Sequence, residues 1–194
     1  MDKNIKFQHF ALTQIDRANI KKQNPMCLWM TGLSGAGKST LANALEQKLN
    51  GMGKHTYILD GDNLRHGLNS DLGFTEADRN ENVRRAAQVA QLIVDAGLIV
   101  IVGLISPFKQ ERDWARGLFK DNQFKEIYIS TSLQDCEERD VKGLYEKARR
   151  GVVKDFTGID SPYEPPENSE VIIDTHNKSV DECVQQILHE ANLA

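Results

Sequence analysis

Cysteine is scarce in this chain: Cys27, Cys136 and Cys183 are the only three in 194 residues, isolated and without a C-x-x-C pair. That excludes a disulfide framework and a thiolate metal cluster, and it points to a reducing compartment. Positive charge is not in surplus either. Lys and Arg number 24 against 28 Asp and Glu, a net charge of −4, so no basic excess exists to neutralise a nucleic-acid backbone. Neither nucleic acid nor membrane is an expected partner. Long apolar runs are missing: the longest, Leu98 to Ile105, is far too short to span a bilayer. The N-terminus has no apolar stretch of the kind a secretory signal needs. These absences lead to the expectation of a single cytoplasmic domain, without internal repeat or domain boundary, large enough for a sizeable core.

What is present is more specific. Gly32-Leu33-Ser34-Gly35-Ala36-Gly37-Lys38-Ser39 matches G-x-x-x-x-G-K-[ST] in full. Glycines let the backbone curl so that several N–H groups point at phosphate oxygens, and the following helix adds its positive end. Lys38 is placed to bridge the outer phosphates and the Ser39 hydroxyl to ligate Mg²⁺. The context is right, because the apolar run Cys27 to Met30 reads as a buried strand feeding the loop. Behind it, Leu41, Leu45, Leu49 and Met52 recur at helical spacing. The pattern implies a nucleoside triphosphate site.

Along the rest of the chain, residues 1–24 read as a polar N-terminal arm with one short helix opened by a capping box, Thr13 to Asp16. His55 to Leu59 reads as a strand ending on Asp60-Gly61-Asp62, followed by a loop through Asn69 and Gly73. Thr75 to Asp78 is a second capping box, starting a long helix that Gly97 ends. Its apolar stripe is Val83, Ala87, Ala90 and Val94. Leu98 to Ile105 reads as a central parallel strand buried on both faces. Ser106-Pro107 reads as the cap and first turn of a helix. Phe124 to Ile129 is a fourth strand, followed by a short helix from Ser132. Residues 139–168 are charged and show no clear period. Val171 to Ile173 is the last strand and Ser179 to Leu193 the last helix. The alternation predicts an α/β fold of the P-loop NTPase kind, a five-stranded parallel sheet with helices on both faces.

A phosphate loop alone does not separate kinase from ATPase or switch. Asp60 and Asp62, at the end of a strand beside the loop, can divide two tasks, holding Mg²⁺ and accepting a proton from an attacking hydroxyl. A plain turn satisfied by Asp and Asn side chains is the alternative. Arg79 and Asn82, three apart, share a helix face. An arginine pair such as Arg65 and Arg79 matches a doubly anionic ligand. Arg84 and Arg85 lie on the same helix, and chemistry alone does not choose among the four.

The motifs T-G-L-S-G-A-G-K-S-T, L-D-G-D-N-L-R-H-G-L, D-L-G-F-T-E-A-D-R-N-E-N, I-S-P-F, K-G-L-Y-E-K-A-R and F-T-G-I-D-S-P-Y-E-P-P together resemble those of the adenylylsulfate kinases, from about Pro25 to Ile173. The resemblance implies phosphorylation of the ribose 3′-hydroxyl of adenosine 5′-phosphosulfate by MgATP, in a kinase domain spanning 25–194 with a lid at about 139–161. It implies Asp62 as base and Asp60 as a metal or positioning group. Arg65, Arg79 and Asn82 would hold the phosphosulfate, with Phe74 and Phe156 clamping the substrate adenine between their rings. Thr40 and Arg139 join the ATP side, and Ile105, Ser106, Lys142 and Leu144 the acceptor side. The resemblance also implies a homodimer and a separate sulfurylase as the source of the substrate.

Ser106 is assigned as a site residue near the substrate. No base in the sequence is poised to make it a nucleophile, and direct in-line transfer needs only positioning and charge neutralisation. Two departures from the family pattern are Val141, where proline is expected, and Val102-Gly103-Leu104 before I-S-P-F. Two other readings remain open at this point, a P-loop kinase for another small hydroxyl acceptor and a nucleotide-sensing binding module. The intact Lys38, Ser39, Asp60 and Asp62 speak against the second.

Overall fold

The structure is a computed structural model and describes residues 5–193. The first four residues of the N-terminal arm lie outside the described residues. Five parallel strands, β1 (Met26–Thr31), β2 (Thr56–Asp60), β3 (Ile99–Gly103), β4 (Phe124–Ile129) and β5 (Val171–Ile173), form one sheet in the order β2-β3-β1-β4-β5. The predicted fold class is the one observed. β1 sits at the centre, pairing Cys27 with Val100 of β3 on one side and with Phe124 of β4 on the other.

Side-chain alternation along the central strands feeds two separate cores. Leu28 and Met30 of β1, with Ile99 and Ile101 of β3, pack under α2 (Lys38–Gly51) and α8 (Val180–Glu190). Cys27 and Trp29, with Val100 and Val102, point to the opposite face, under α4 (Glu76–Asp95) and α5 (Lys109–Arg116). All five residues of β3 are buried, as a strand covered on both faces requires. The three cysteines are free and buried within these cores. Among the described residues, no helix is long and apolar enough to cross a membrane.

Caps set most helix starts as the sequence predicts. Thr13 and Asp16 form a reciprocal capping box on α1 (Gln14–Lys21). This helix is docked on the domain: Arg17 pairs with Asp95 at 2.8 Å and Gln14 donates to the Val94 carbonyl. At α4, Thr75 accepts from the Asp78 N–H, while Asp78 takes the Thr75 hydroxyl instead of its backbone N–H. The stripe Val83, Ala87, Ala90 and Val94 is buried, as predicted.

Four details differ from the sequence reading. Met52 does not join Leu41, Leu45 and Leu49 in the core, because it lies at the end of α2 and is exposed. The stretch after Asp60 is not loop from its start but a short helix, α3 (Gly61–Arg65), which Asp60 caps by accepting from Asp62 and Asn63. Ser106 does not cap a helix. It has φ 39°, and α5 begins at Lys109 after Phe108. The region without a period contains α7 (Leu144–Arg149), opened when the Asp140 carboxylate collects the N–H groups of Leu144, Tyr145 and Glu146. Preceding it is α6 (Leu133–Arg139), capped by Ser132.

Candidate active site

The loops leaving β1, β2 and β3 converge at the carboxyl ends of the strands, where open α/β sheets bind ligands. They enclose a cleft of about 320 Å³. Its floor is the phosphate-binding loop. A Cβ at Gly32 would lie 2.6 Å from the Ile129 carbonyl, so the turn off β1 accepts only glycine there. Gly37, at φ 109°, opens α2 in a conformation that L side chains avoid. Ser34, Gly35, Gly37, Lys38, Ser39 and Thr40 line the cleft. Gly32, Leu33 and Ala36 support the loop from behind. The carbonyls of Gly32 and Leu33 accept from Lys38 Nζ at 2.8 and 2.7 Å, and that of Ala36 accepts from Thr131.

Lys38 thus folds back along its own loop. Burial pulls its ammonium down to about 8, against the Cys136, Asp60 and Asp62 groups, which raise it. Ser39 Oγ donates to Asp60 Oδ2 at 2.6 Å, while Asp60 Oδ1 accepts from the N–H groups of Asp62 and Asn63. One hydroxyl and one carboxylate side by side on the cleft floor are a hard-oxygen donor set. It fits Mg²⁺, which binds through one or two carboxylates plus substrate phosphates and keeps several waters.

The acceptor-side residues divide. Asp62, Arg65, Phe74, Arg79, Asn82, Ile105, Ser106 and Lys142 all line the cleft. The carboxylate of Asp62 is exposed in it and pairs with Lys142 Nζ, which arrives from the segment between α6 and α7. Arg65 donates to the carbonyls of Leu72 and Gly73 and stacks over the Phe74 ring at 4.3 Å. Arg79 uses three of its five N–H donors, on the Phe74 carbonyl, the Thr157 hydroxyl and the Asp155 carbonyl. Arg84 and Arg85 turn away into ion pairs with Glu81 and Asp71, so Arg65 and Arg79 are the two that reach the cleft.

Phe156 does not face Phe74 across the cleft, contrary to the expected clamp. It is 8% exposed and packs edge-on against Tyr145, with ring centroids 4.9 Å apart. The Asp160 carboxylate accepts from the Asp155 and Phe156 N–H groups and pins the turn there. Leu144 is half-buried behind the cleft wall and does not line it. Arg139 also lies outside the cleft. Its guanidinium bonds Thr175, whose methyl group adjoins Gly37.

The wall at Ser106 is built by residues the sequence reading did not single out. Trp29 Nε1 donates to Ser106 Oγ at 3.1 Å, and Thr31 Oγ1 donates to the Ile105 carbonyl at 2.7 Å. The buried Arg112 donates to the Ser106 carbonyl at 2.8 Å and pairs with Glu126 at 2.7 Å. These long-range partners carry no local spacing signal. Thr31, a fully buried hydroxyl at the end of β1 directly before the phosphate loop, is the one with a local signal.

Comparison with known proteins agrees with this geometry. The family model for adenylylsulphate kinase matches residues 24–174. An adenylyl-sulfate kinase of Shewanella sp. (strain MR-7) is 59% identical over 89% of this chain and 84% of its own length. The bifunctional enzyme NodQ of Rhizobium sp. (strain N33) is 54% identical over 97% of this chain, which spans 29% of that larger protein. Among solved structures, the Mycobacterium tuberculosis APS kinase CysC in complex with AMPPNP and APS superposes with a TM-score of 0.83 at 48% identity. That match covers 87% of this chain and 98% of that one. The chain belongs to the adenylylsulphate kinase family.

Proposed function

We propose that the protein transfers the γ-phosphoryl group of ATP to the ribose 3′-hydroxyl of adenosine 5′-phosphosulfate, giving 3′-phosphoadenosine 5′-phosphosulfate and ADP. The observation that carries this reading is a single cleft holding both a phosphate-binding loop and the set Asp62, Arg65, Phe74, Arg79, Asn82 and Ser106. Family membership and the name of the M. tuberculosis complex support the same substrate pair.

In this reading the loop N–H groups and Lys38 bind the β- and γ-phosphates, with Thr40 and Arg139 on the nucleotide side. Ser39 and Asp60 would hold magnesium, which would supply charge neutralisation at the phosphates. Asp62 accepts the 3′-hydroxyl proton as the oxygen–phosphorus bond forms and the bond to the β-phosphate oxygen breaks. Arg65, Arg79 and Asn82 hold the phosphosulfate, with Phe74 against the adenine. Ser106 and Ile105 form the adjoining wall. The segment 139–161 acts as a lid. Its Lys142 leaves Asp62 for the transferring phosphoryl group once substrates bind, and closure excludes water. A cytoplasmic homodimer is the assembly and setting we infer.

A phosphorus NMR time course with MgATP tests the reaction, comparing adenosine 5′-phosphosulfate with adenosine 5′-monophosphate as acceptor. A new 3′-phosphomonoester resonance appearing with ADP, in the phosphosulfate sample, is the expected result. ATP loss at the same rate in both samples means hydrolysis and overturns the assignment.

A further inference from the structure

Asn69 is a fully buried polar residue that the proposed chemistry does not use. Its position is central to the acceptor side. Its N–H donates to the Leu64 carbonyl at 2.9 Å, at the end of α3, which carries Asp62 and Arg65. Its carbonyl accepts from the Leu72 N–H at 3.1 Å, and the Leu72 carbonyl in turn accepts from Arg65. Its side-chain Nδ2 donates to Asn82 Oδ1 at 2.9 Å, on α4. One buried amide thereby joins the three segments that bring Arg65, Phe74 and Asn82 to the cleft.

The side-chain bond has a second consequence. Asn82 lines the cleft, and its Oδ1 is occupied by Asn69, so the NH₂ end is the one left to face a ligand. An amide pair of this kind has two self-consistent arrangements. In the one observed, Asn69 donates and Asn82 offers the cleft a donor. In the reverse, Asn82 donates to Asn69 and offers the cleft an oxygen. Asn69 Oδ1 is buried without a partner among the described residues. Such an orphan acceptor is costly to keep in a core, and an apolar side chain of the same shape would avoid the cost. A function for the amide accounts for its presence.

We propose that Asn69 is a positioning residue for ligand sign: by occupying Asn82 Oδ1 it fixes Asn82 as a hydrogen-bond donor, so that the acceptor subsite selects an anion. The proposal rests on the acceptor assignment made above. It predicts that the residue contributes little to the nucleoside part of the ligand, which carries no anion, and much to the charged part.

The experiment is calorimetric titration of adenosine 5′-phosphosulfate and of adenosine into the full chain, comparing wild type with Asn69→Asp and Asn69→Leu. Asp has the same shape and accepts from Asn82, which turns the Asn82 oxygen to the cleft. Leu is uncharged, removes the donor and lets Asn82 rotate. Both variants are expected to lower the ratio of phosphosulfate to adenosine affinity by about tenfold or more, with Asp the more severe, as loss of a hydrogen bond to a charged group implies. ATP affinity should stay within about twofold of wild type, since the phosphate loop is untouched. An equal fall for both ligands means a merely structural role and overturns the proposal. So does a fall confined to Asp, which is then simple charge repulsion. If the Leu variant does not fold, Asn69→Ser makes the same uncharged comparison, because its hydroxyl is too short to reach Asn82. Wild-type protein that binds neither ligand would instead sink the acceptor assignment, and a normal ATP titration in that sample tells the two failures apart.

Discussion

Ser39 Oγ lies 2.6 Å from Asp60 Oδ2, joining the first turn of α2 to the end of β2 across 21 residues of sequence. The bond aligns a hydroxyl and a carboxylate where the outer phosphates of a nucleotide meet the loop. Ser39→Ala removes one oxygen and releases the other. Because metal-site partners are typically worth 10–100-fold in affinity, the Mg²⁺ concentration giving half-maximal turnover should rise by about tenfold or more. Asp60→Asn should act in the same direction while keeping the cap on α3, since asparagine caps a helix about as well as aspartate. A magnesium titration at saturating ATP makes the check, and an unchanged midpoint in both variants removes the pair as a metal site.

Asp62 is less constrained than Asp60, its carboxylate meeting only Lys142 among the described residues. A proton acceptor needs that freedom, whereas Asp60, tied by Ser39 and two backbone N–H groups, is held in place as a metal or positioning group must be. Asp62→Asn should therefore lower turnover by about 10²-fold or more while leaving ATP affinity nearly unchanged. Lys142→Ala should reduce turnover too, yet leave the pH profile of the remaining activity in place. Normal turnover in Asp62→Asn takes this residue out of the proton-transfer role.

Much of this site was legible because the decisive signals are local. Gly32 to Ser39 announces itself by spacing, and Asp60, Arg65, Arg79 and Asn82 sit in runs whose resemblance is unmistakable. Strand positions followed from apolar runs bounded by turns, and helix starts at Thr13 and Thr75 from their caps. What was not legible depends on partners distant in sequence. The Ser106 conformation is held by Trp29 and Arg112, on other elements, so Ser-Pro looked like an ordinary cap. The core position of Phe156 depends on Asp160 and Tyr145. Helix α7 starts on a side-chain oxygen of Asp140, a cap hidden within a charged stretch.

Ser106 is held at φ 39° with its hydroxyl accepting from Trp29, inside a wall that is 2% exposed at this residue. Among the described residues no carboxylate or imidazole hydrogen-bonds that hydroxyl, and we propose that its part is to shape the wall. Ser106→Ala should keep most of the turnover. It leaves the buried Trp29 N–H unpaired, at about 1–3 kcal/mol of stability, which thermal unfolding would register. A folded variant with no turnover at all would reopen covalent chemistry at Ser106.

The two phenylalanines expected to share one role should separate cleanly. Phe74 is 62% exposed at the cleft rim beside Arg65, whereas Phe156 is in the core. Phe74→Ala should raise the KM for the acceptor by about tenfold through lost stacking, with little change in Tm. Phe156→Ala should cost about 3–5 kcal/mol of stability, as other buried aromatic truncations do. Equal losses of acceptor affinity at undiminished stability would instead mean that Phe156 swings out to meet the ligand.

Lys38 gives the pH dependence. Burial lowers its ammonium to about 8, from 10.5. Between those values the folded chain binds fewer protons there than the unfolded chain, so this residue makes stability rise with pH across that window. Bound polyphosphate acts in the opposite sense, since opposite charge favours the ammonium. Nucleotide binding should therefore take up nearly a full proton at about pH 9, where free Lys38 is mostly neutral, and only about a quarter of a proton at about pH 7.5. Calorimetry of ATP binding in buffers of different ionisation enthalpy measures this uptake directly. In Lys38→Met the uptake should vanish together with most of the affinity. Uptake that persists in the variant would place the titrating group elsewhere in the cleft.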